Sequence, residues 1–120
     1  MIALVVEDDK TLEVIYRFIL ERAGFEVLFA TDGQQAISIL ETTTPALIFL
    51  DMLLPHTHGS EVLRYIRATE QLNHTRVVVI SSIQNYERDI QQEEFLLKPV
   101  HAPVIARIAE ETRSKFVSHC

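Results

Sequence analysis

Ile2-Ala3-Leu4-Val5-Val6-Glu7-Asp8-Asp9 decides the architecture: an unbroken apolar run of strand length, then three carboxylates in a row. A short run of Val, Ile and Leu without polar alternation reads as a strand buried on both faces. Val27 to Ala30, Ala46 to Leu50 and Val77 to Ile80 repeat the pattern, and Phe95-Leu96-Leu97 before Lys98-Pro99 is expected to form a short last strand. Between the runs the apolar residues fall at helical spacing: Leu12, Ile15, Ile19; Ala36, Ile37, Leu40; Val62, Leu63, Ile66; and Val104, Ile105, Ile108, Ala109. The punctuation agrees. Gly24 can end the first helix, Asp32-Gly33 opens the second, Thr44-Pro45 closes it and Gly59 precedes the third. Strands alternating with helices through short connections predict an α/β fold, a parallel sheet covered on both faces by right-handed crossovers. The segment 82–94 is polar with few apolar anchors, so a helix there is expected to be short or loosely packed.

The chain has 120 residues, 48% of them apolar, which fills one core and predicts a single domain over 1–120. Seventeen acidic residues against eleven basic ones give a formal charge of −6, which argues against a nucleic-acid-binding surface. The lone cysteine, Cys120, has no partner in the chain, so the fold owes nothing to disulfides and a reducing cytoplasm is its expected home. No apolar run approaches the eighteen or so residues of a membrane span, and acids cut the N-terminal run short, unlike a signal peptide. A soluble domain that is not exported is expected, either standing alone or as part of a longer protein.

In a doubly wound sheet the ligand site lies beyond the carboxyl ends of the strands. Those ends carry Glu7-Asp8-Asp9, Asp51, Ser81-Ser82 and Lys98-Pro99. Clustered carboxylates repel at low dielectric unless a cation joins them or a proton is shared. Mg²⁺ suits such a set, because it takes few carboxylates and favours phosphate oxygens. Acids, a hydroxyl and a lysine together make a phosphoryl-handling site. Singly, each residue has a plainer reading: Asp8 or Asp9 as a helix cap, the serines as turn residues, Lys98 as a solvated charge, Asp51 as a strand terminator. Their convergence on one rim is what favours chemistry.

These same residues resemble the receiver domains of two-component response regulators. The matching pieces are Val5-Val6-Glu7-Asp8-Asp9, then Leu50-Asp51-Met52-Leu53-Leu54-Pro55 with Gly59, then Val79-Ile80-Ser81-Ser82, and last Leu97-Lys98-Pro99. They follow the family's order from end to end. The resemblance implies a five-stranded parallel sheet of order 2-1-3-4-5 with five helices, the fourth shortened. It further implies a signalling switch in which a histidine kinase or histidine phosphotransfer protein phosphorylates Asp51, changing the surface offered to an output partner. By position, Asp8 would bind Mg²⁺ directly, Glu7 would act through a bound water, and Asp51 and the backbone carbonyl of Leu53 would complete the metal site. Ser81 would follow the phosphoryl group and Lys98 would pair with it. Phe95 would swing inward with Ser81. Asp9 is left as a capping or outer residue, and the family's cis peptide is expected at Lys98-Pro99. Such a domain is not an enzyme on other molecules, because it catalyses only its own phosphorylation and dephosphorylation. Any homodimer is expected to lean on Ile105, Ile108 and their neighbours in the last helix, or to be absent, and no direct contact to nucleic acid or membrane is expected.

Two departures from the pattern carry expectations of their own. The stretch from Ser81 to Lys98 is about one helical turn shorter than in most receivers, with Gln91-Gln92 where Gly-Ala is usual. That shortening supports a rival reading, a degenerate receiver serving as a phosphorylation-independent scaffold. Leu53 and Ile83 are apolar where hydrolysis is commonly tuned, so the phosphoryl group is expected to be long-lived. An aspartate-dependent phosphatase fails because Leu53 cannot act on a leaving group. Dinucleotide binding fails because Gly24, Gly33 and Gly59 are scattered. His56 and His58 near Asp51 invite a zinc proposal, but an exposed loop beside hard acids does not suit zinc. Glu110, Glu111, Arg113 and Lys115 read as the solvated face of the last helix.

Overall fold

Strands and helices alternate along the chain in a computed structural model that describes residues 1–56, 58–82 and 94–117. The order is β1 (Ile2–Val6), α1 (Lys10–Arg22), β2 (Glu26–Ala30), α2 (Gly33–Thr42), β3 (Leu47–Asp51), α3 (Gly59–Ala68), β4 (Arg76–Ser81), β5 (Glu94–Leu97) and α4 (Ala102–Val117), with a 3₁₀ turn at Glu70–Leu72. The strands form one parallel sheet in the order β2-β1-β3-β4-β5. The chain reverses its direction of winding between β1 and β3, so the loops after those strands open at the switch point. The shortened fourth helix expected over 82–94 lies, but for its end residues, outside the described residues.

Two apolar layers sandwich the sheet. Ala3, Val5, Phe49, Val78 and Ile80 on one face pack against Tyr16 and Leu20 of α1 and Ile105 and Ile108 of α4. Leu4, Val6, Ile48, Leu50 and Val79 on the other face pack against Ala36 and Leu40 of α2 and Val62, Leu63 and Ile66 of α3. Alternate residues of the central strands serve opposite layers, which is why those runs are apolar throughout.

Four expectations need correction. The run Val27 to Ala30 is not buried on both faces, because β2 is an edge strand: Leu28 and Phe29 are only half-buried, and Arg17 lies 4.7 Å over the Phe29 ring. On α1 the inward stripe is Leu12, Tyr16, Ile19 and Leu20, which leaves Ile15 40% exposed. Ile105 and Ile108 are 2% and 3% exposed, so their side chains belong to the core and cannot form the dimer surface expected of them. Glu111 is not merely solvated. Its carboxylate and that of Glu94 grip Arg76 at 3.1 and 2.6 Å, while the guanidinium also reaches the Thr112 hydroxyl and the Ile108 carbonyl. This junction ties β4, β5 and α4 together at the end of the sheet opposite the carboxylates, a link between distant positions that no local pattern announces.

Candidate functional site

Helix α1 begins where β1 stops, and Asp9 makes the turn: its carboxylate accepts from the Thr11 and Leu12 amides at 2.8 and 3.3 Å. Asp9 is thus the cap, and its neighbours are released for the rim. Glu7 is 3% exposed at the end of the buried strand, whereas Asp8 is exposed. Across the switch point, Asp51 closes β3 at 2% exposure. One carboxylate oxygen from each of Glu7, Asp8 and Asp51 lies within 4.8 Å of the others.

The Asp51 carboxylate is held from both ends. Its Oδ1 accepts from the Leu53 amide at 2.9 Å, and its Oδ2 accepts from Lys98 Nζ at 2.6 Å. Lys98 follows β5, its amide donates to the Ser81 carbonyl at 3.1 Å, and the Lys98-Pro99 peptide bond is cis. Partial burial pulls the Lys98 ammonium down, but its hydrogen bond and attraction to Asp51, with Glu7 and Asp8 behind, leave it raised overall. Glu7 moves the other way. Burial, a hydrogen bond with Asp51 and repulsion from that carboxylate push it up to about 8, against the pull of the Asp9 amide and Lys98. Without a cation the pole therefore keeps a proton, which is the chemical signature of too many carboxylates in one place.

That signature also tests the fit of Mg²⁺. Three oxygen donors converge within 4.8 Å, no soft ligand is among them, and one is held neutral by burial first and by the neighbouring Asp51 carboxylate second. The set suits a hard divalent ion. Leu53, the fourth expected contributor, stands just beyond β3 with its side chain 42% exposed. Neither histidine of the following loop joins the acids: His58 caps α3, its Nδ1 accepting from the Ser60 amide at 3.1 Å, and His56 is exposed with a φ of 67°. Zinc has no ligand set there among the described residues.

Ser81 ends β4, fully buried, and Phe95 is half-buried in β5. Ser81 stands opposite Leu97 and Val79 opposite Phe95, so Ser81 and Phe95 share the α2/α3 face of the sheet, two residues apart in register. Ile83, Gln91 and Gln92 lie outside the described residues.

Two contributors to the site are not marked as such by the sequence. Gly59, expected to precede the third helix, is the first residue of α3, and a Cβ there would come within 2.6 Å of the Met52 Cα and 2.7 Å of the Asp51 carbonyl oxygen. Only glycine lets α3 start against the backbone that carries Asp51. Tyr16 is 3% exposed on α1 and packs its ring on Phe49 at 5.2 Å. A tyrosine among Leu, Ile and Phe at core spacing is the one signal that a hydroxyl points under the rim.

The chain matches the response regulator receiver domain over residues 3–110. The polar-differentiation response regulator DivK of Brucella abortus (strain 2308) is 28% identical over 105 residues, covering 83% of this chain and 85% of that protein. The alkaline phosphatase synthesis transcriptional regulatory protein PhoP of Bacillus subtilis (strain 168) is 29% identical over 100 residues, 80% of this chain but only 41% of that longer protein. Among solved structures, the receiver domain of the sensor histidine kinase PA1611 of Pseudomonas aeruginosa PAO1 has a magnesium ion coordinated in its active-site cleft. It superposes with a TM-score of 0.82 at 24% identity, covering 94% of this chain and 97% of that one, a likeness of fold. The family match runs from the second residue of β1 into the middle of α4 and takes in every strand end that contributes to the acidic pole, and the chain belongs to the response regulator receiver domain family.

Proposed function

We propose that residues 1–120 form one receiver domain that acts as a Mg²⁺-dependent switch, with Asp51 as its phosphoacceptor. The observation that carries this reading is the Lys98 Nζ to Asp51 Oδ2 contact of 2.6 Å beside the carboxylates of Glu7 and Asp8. Asp51 attacks the phosphorus of a phosphohistidine on a histidine kinase or phosphotransfer protein. A P–O bond to Asp51 forms, the P–N bond breaks, and the imidazole leaves with the bonding pair and takes up a proton. Mg²⁺, held by Glu7, Asp8, Asp51 and the Leu53 carbonyl, would supply positive charge opposite the phosphoryl oxygens.

The chain's own residues do the rest. Lys98 gives up its pairing with Asp51 to meet a phosphoryl oxygen. Ser81 donates its hydroxyl to another, and Phe95, on the same face of the sheet, follows it inward. Leu53 offers no group to orient a hydrolytic water, which supports a long-lived phosphoryl state. The domain works on no other molecule, and its output is a changed surface, read by a partner in the cytoplasm.

The experiment is beryllofluoride with Mg²⁺, followed by amide chemical shifts. A phosphoacceptor switch shows saturable shifts at Asp51, Ser81, Phe95 and Lys98 that need both additives. A phosphorylation-independent scaffold shows none, and that result would overturn the proposal.

A further inference from the structure

Beside the acidic pole, between α1 and the turn from Lys98 into α4, lies a half-open cavity of about 550 Å³. Leu12, Ile80, Val100 and Ile105 give it apolar walls, while Glu7 and Lys98 line its edge nearest the pole. Tyr16 also lines it, 3% exposed, and its hydroxyl makes no hydrogen bond among the described residues. Among the described residues no buried side-chain polar atom is left unsatisfied, so this unpaired hydroxyl reaches open space, which the cavity it lines provides. Burial first, and then the carboxylates of Glu7 and Asp51, push the phenol up, so it remains a donor. A donor on the wall of an apolar cavity, with no acceptor among the described residues, is free to meet one carried by a ligand.

We propose that this cavity is a binding site for a small, uncharged, largely apolar molecule carrying one hydrogen-bond acceptor, such as an aryl ketone, with the acceptor on the Tyr16 hydroxyl. Volume and lining fit that class, since ligand cavities run from about 300 to 1,000 Å³ with apolar walls and few polar groups. Charge argues for neutrality. Of the basic side chains lining it, Lys98 is already engaged by Asp51 at 2.6 Å and His101 is exposed, while a further negative group would face Glu7 and Asp51. Because Glu7 and Lys98 line both the cavity and the acidic pole, an occupant also alters phosphorylation of Asp51. That consequence rests on the function proposed above, whereas the binding itself does not.

The test uses the metal-free, unphosphorylated protein and three probes of similar shape, acetophenone, ethylbenzene and benzoate, with amide chemical shifts as the readout. Acetophenone should give saturable shifts centred on Ile80, Val100 and Ile105 with a Kd of about 1 mM or tighter. Tyr16→Phe, which keeps the ring and the cavity wall, should weaken acetophenone about three- to tenfold and leave ethylbenzene unchanged. Its melting temperature shows that the fold is intact. Benzoate should bind more weakly than acetophenone. Absence of saturation with acetophenone up to about 5 mM, or an affinity unmoved by Tyr16→Phe, overturns the site. Tighter binding of benzoate overturns the ligand class.

Discussion

Replacing Glu7 by glutamine should remove most of the pH dependence of the metal-free domain's stability. Glu7 is 3% exposed and its carboxyl is pushed up to about 8 by burial and by Asp51, from an ordinary 4.5. The native state therefore binds a proton that the unfolded chain has already released across that window, and the sign follows. The stabilisation is fully present below about pH 4.5, declines as pH rises, and is gone once pH passes about 8. At about 1.4 kcal/mol per pH unit the ceiling is near 5 kcal/mol. Sharing of the proton with Asp51 and water at the open pole reduce it to about 2 kcal/mol. For a domain of this size that is a fall in Tm of about 8 °C between pH 5 and pH 9. Glu7→Gln carries no titrating group and keeps an oxygen for the Asp9 amide, which donates to Glu7 Oε1 at 3.2 Å. Thermal unfolding by circular dichroism in EDTA across that range is the assay. Wild type should slope downward, the variant should stay nearly flat, and Mg²⁺ should restore the wild type at high pH. Parallel profiles for the two proteins would refute the shared-proton description of the pole.

Asp8→Ala should cost at least tenfold in Mg²⁺ affinity by calorimetry with little change in stability, whereas Asp9→Ala should lose about 1 kcal/mol of stability with its α1 cap and keep its affinity; equal losses of affinity would contradict the assignment. Gly59→Ala, which would put a Cβ 2.6 Å from the Met52 Cα, should cost about 2–3 kcal/mol in urea unfolding and slow phosphorylation by displacing the backbone of Asp51, and an unchanged midpoint would show that α3 can move away freely.

The strands were legible because their signal is local: unbroken runs at Ile2 to Val6, Ala46 to Leu50 and Val77 to Ile80 have no other home than a sheet covered on both faces. The acidic pole was legible because topology brings strand ends together, so Glu7, Asp8, Asp51 and Lys98 could be placed on one rim from order alone. Properties set by neighbours remote in sequence were not. Ile15 has the right spacing to be buried, but the bulk of Tyr16 and Leu20 decides how α1 rolls onto the sheet. Ile105 and Ile108 have the look of a dimer seam until α4 is seen lying on Val78 and Ile80. Arg76 and Glu111 stand thirty-five positions apart, and only the fold reveals their ion pair. Gly59 shows the same limit at close range, because its need for a bare Cα comes from the approach of Met52 and Asp51 rather than from its own turn.

The central claim, that Asp51 is the phosphoacceptor and works with Mg²⁺, is tested most directly by intact mass spectrometry after incubation with acetyl phosphate. Wild type with Mg²⁺ should gain a single phosphoryl group that is lost to hydroxylamine. Wild type in EDTA and Asp51→Asn with Mg²⁺ should gain none. Equal phosphorylation of Asp51→Asn, or of the wild type without metal, would contradict the account.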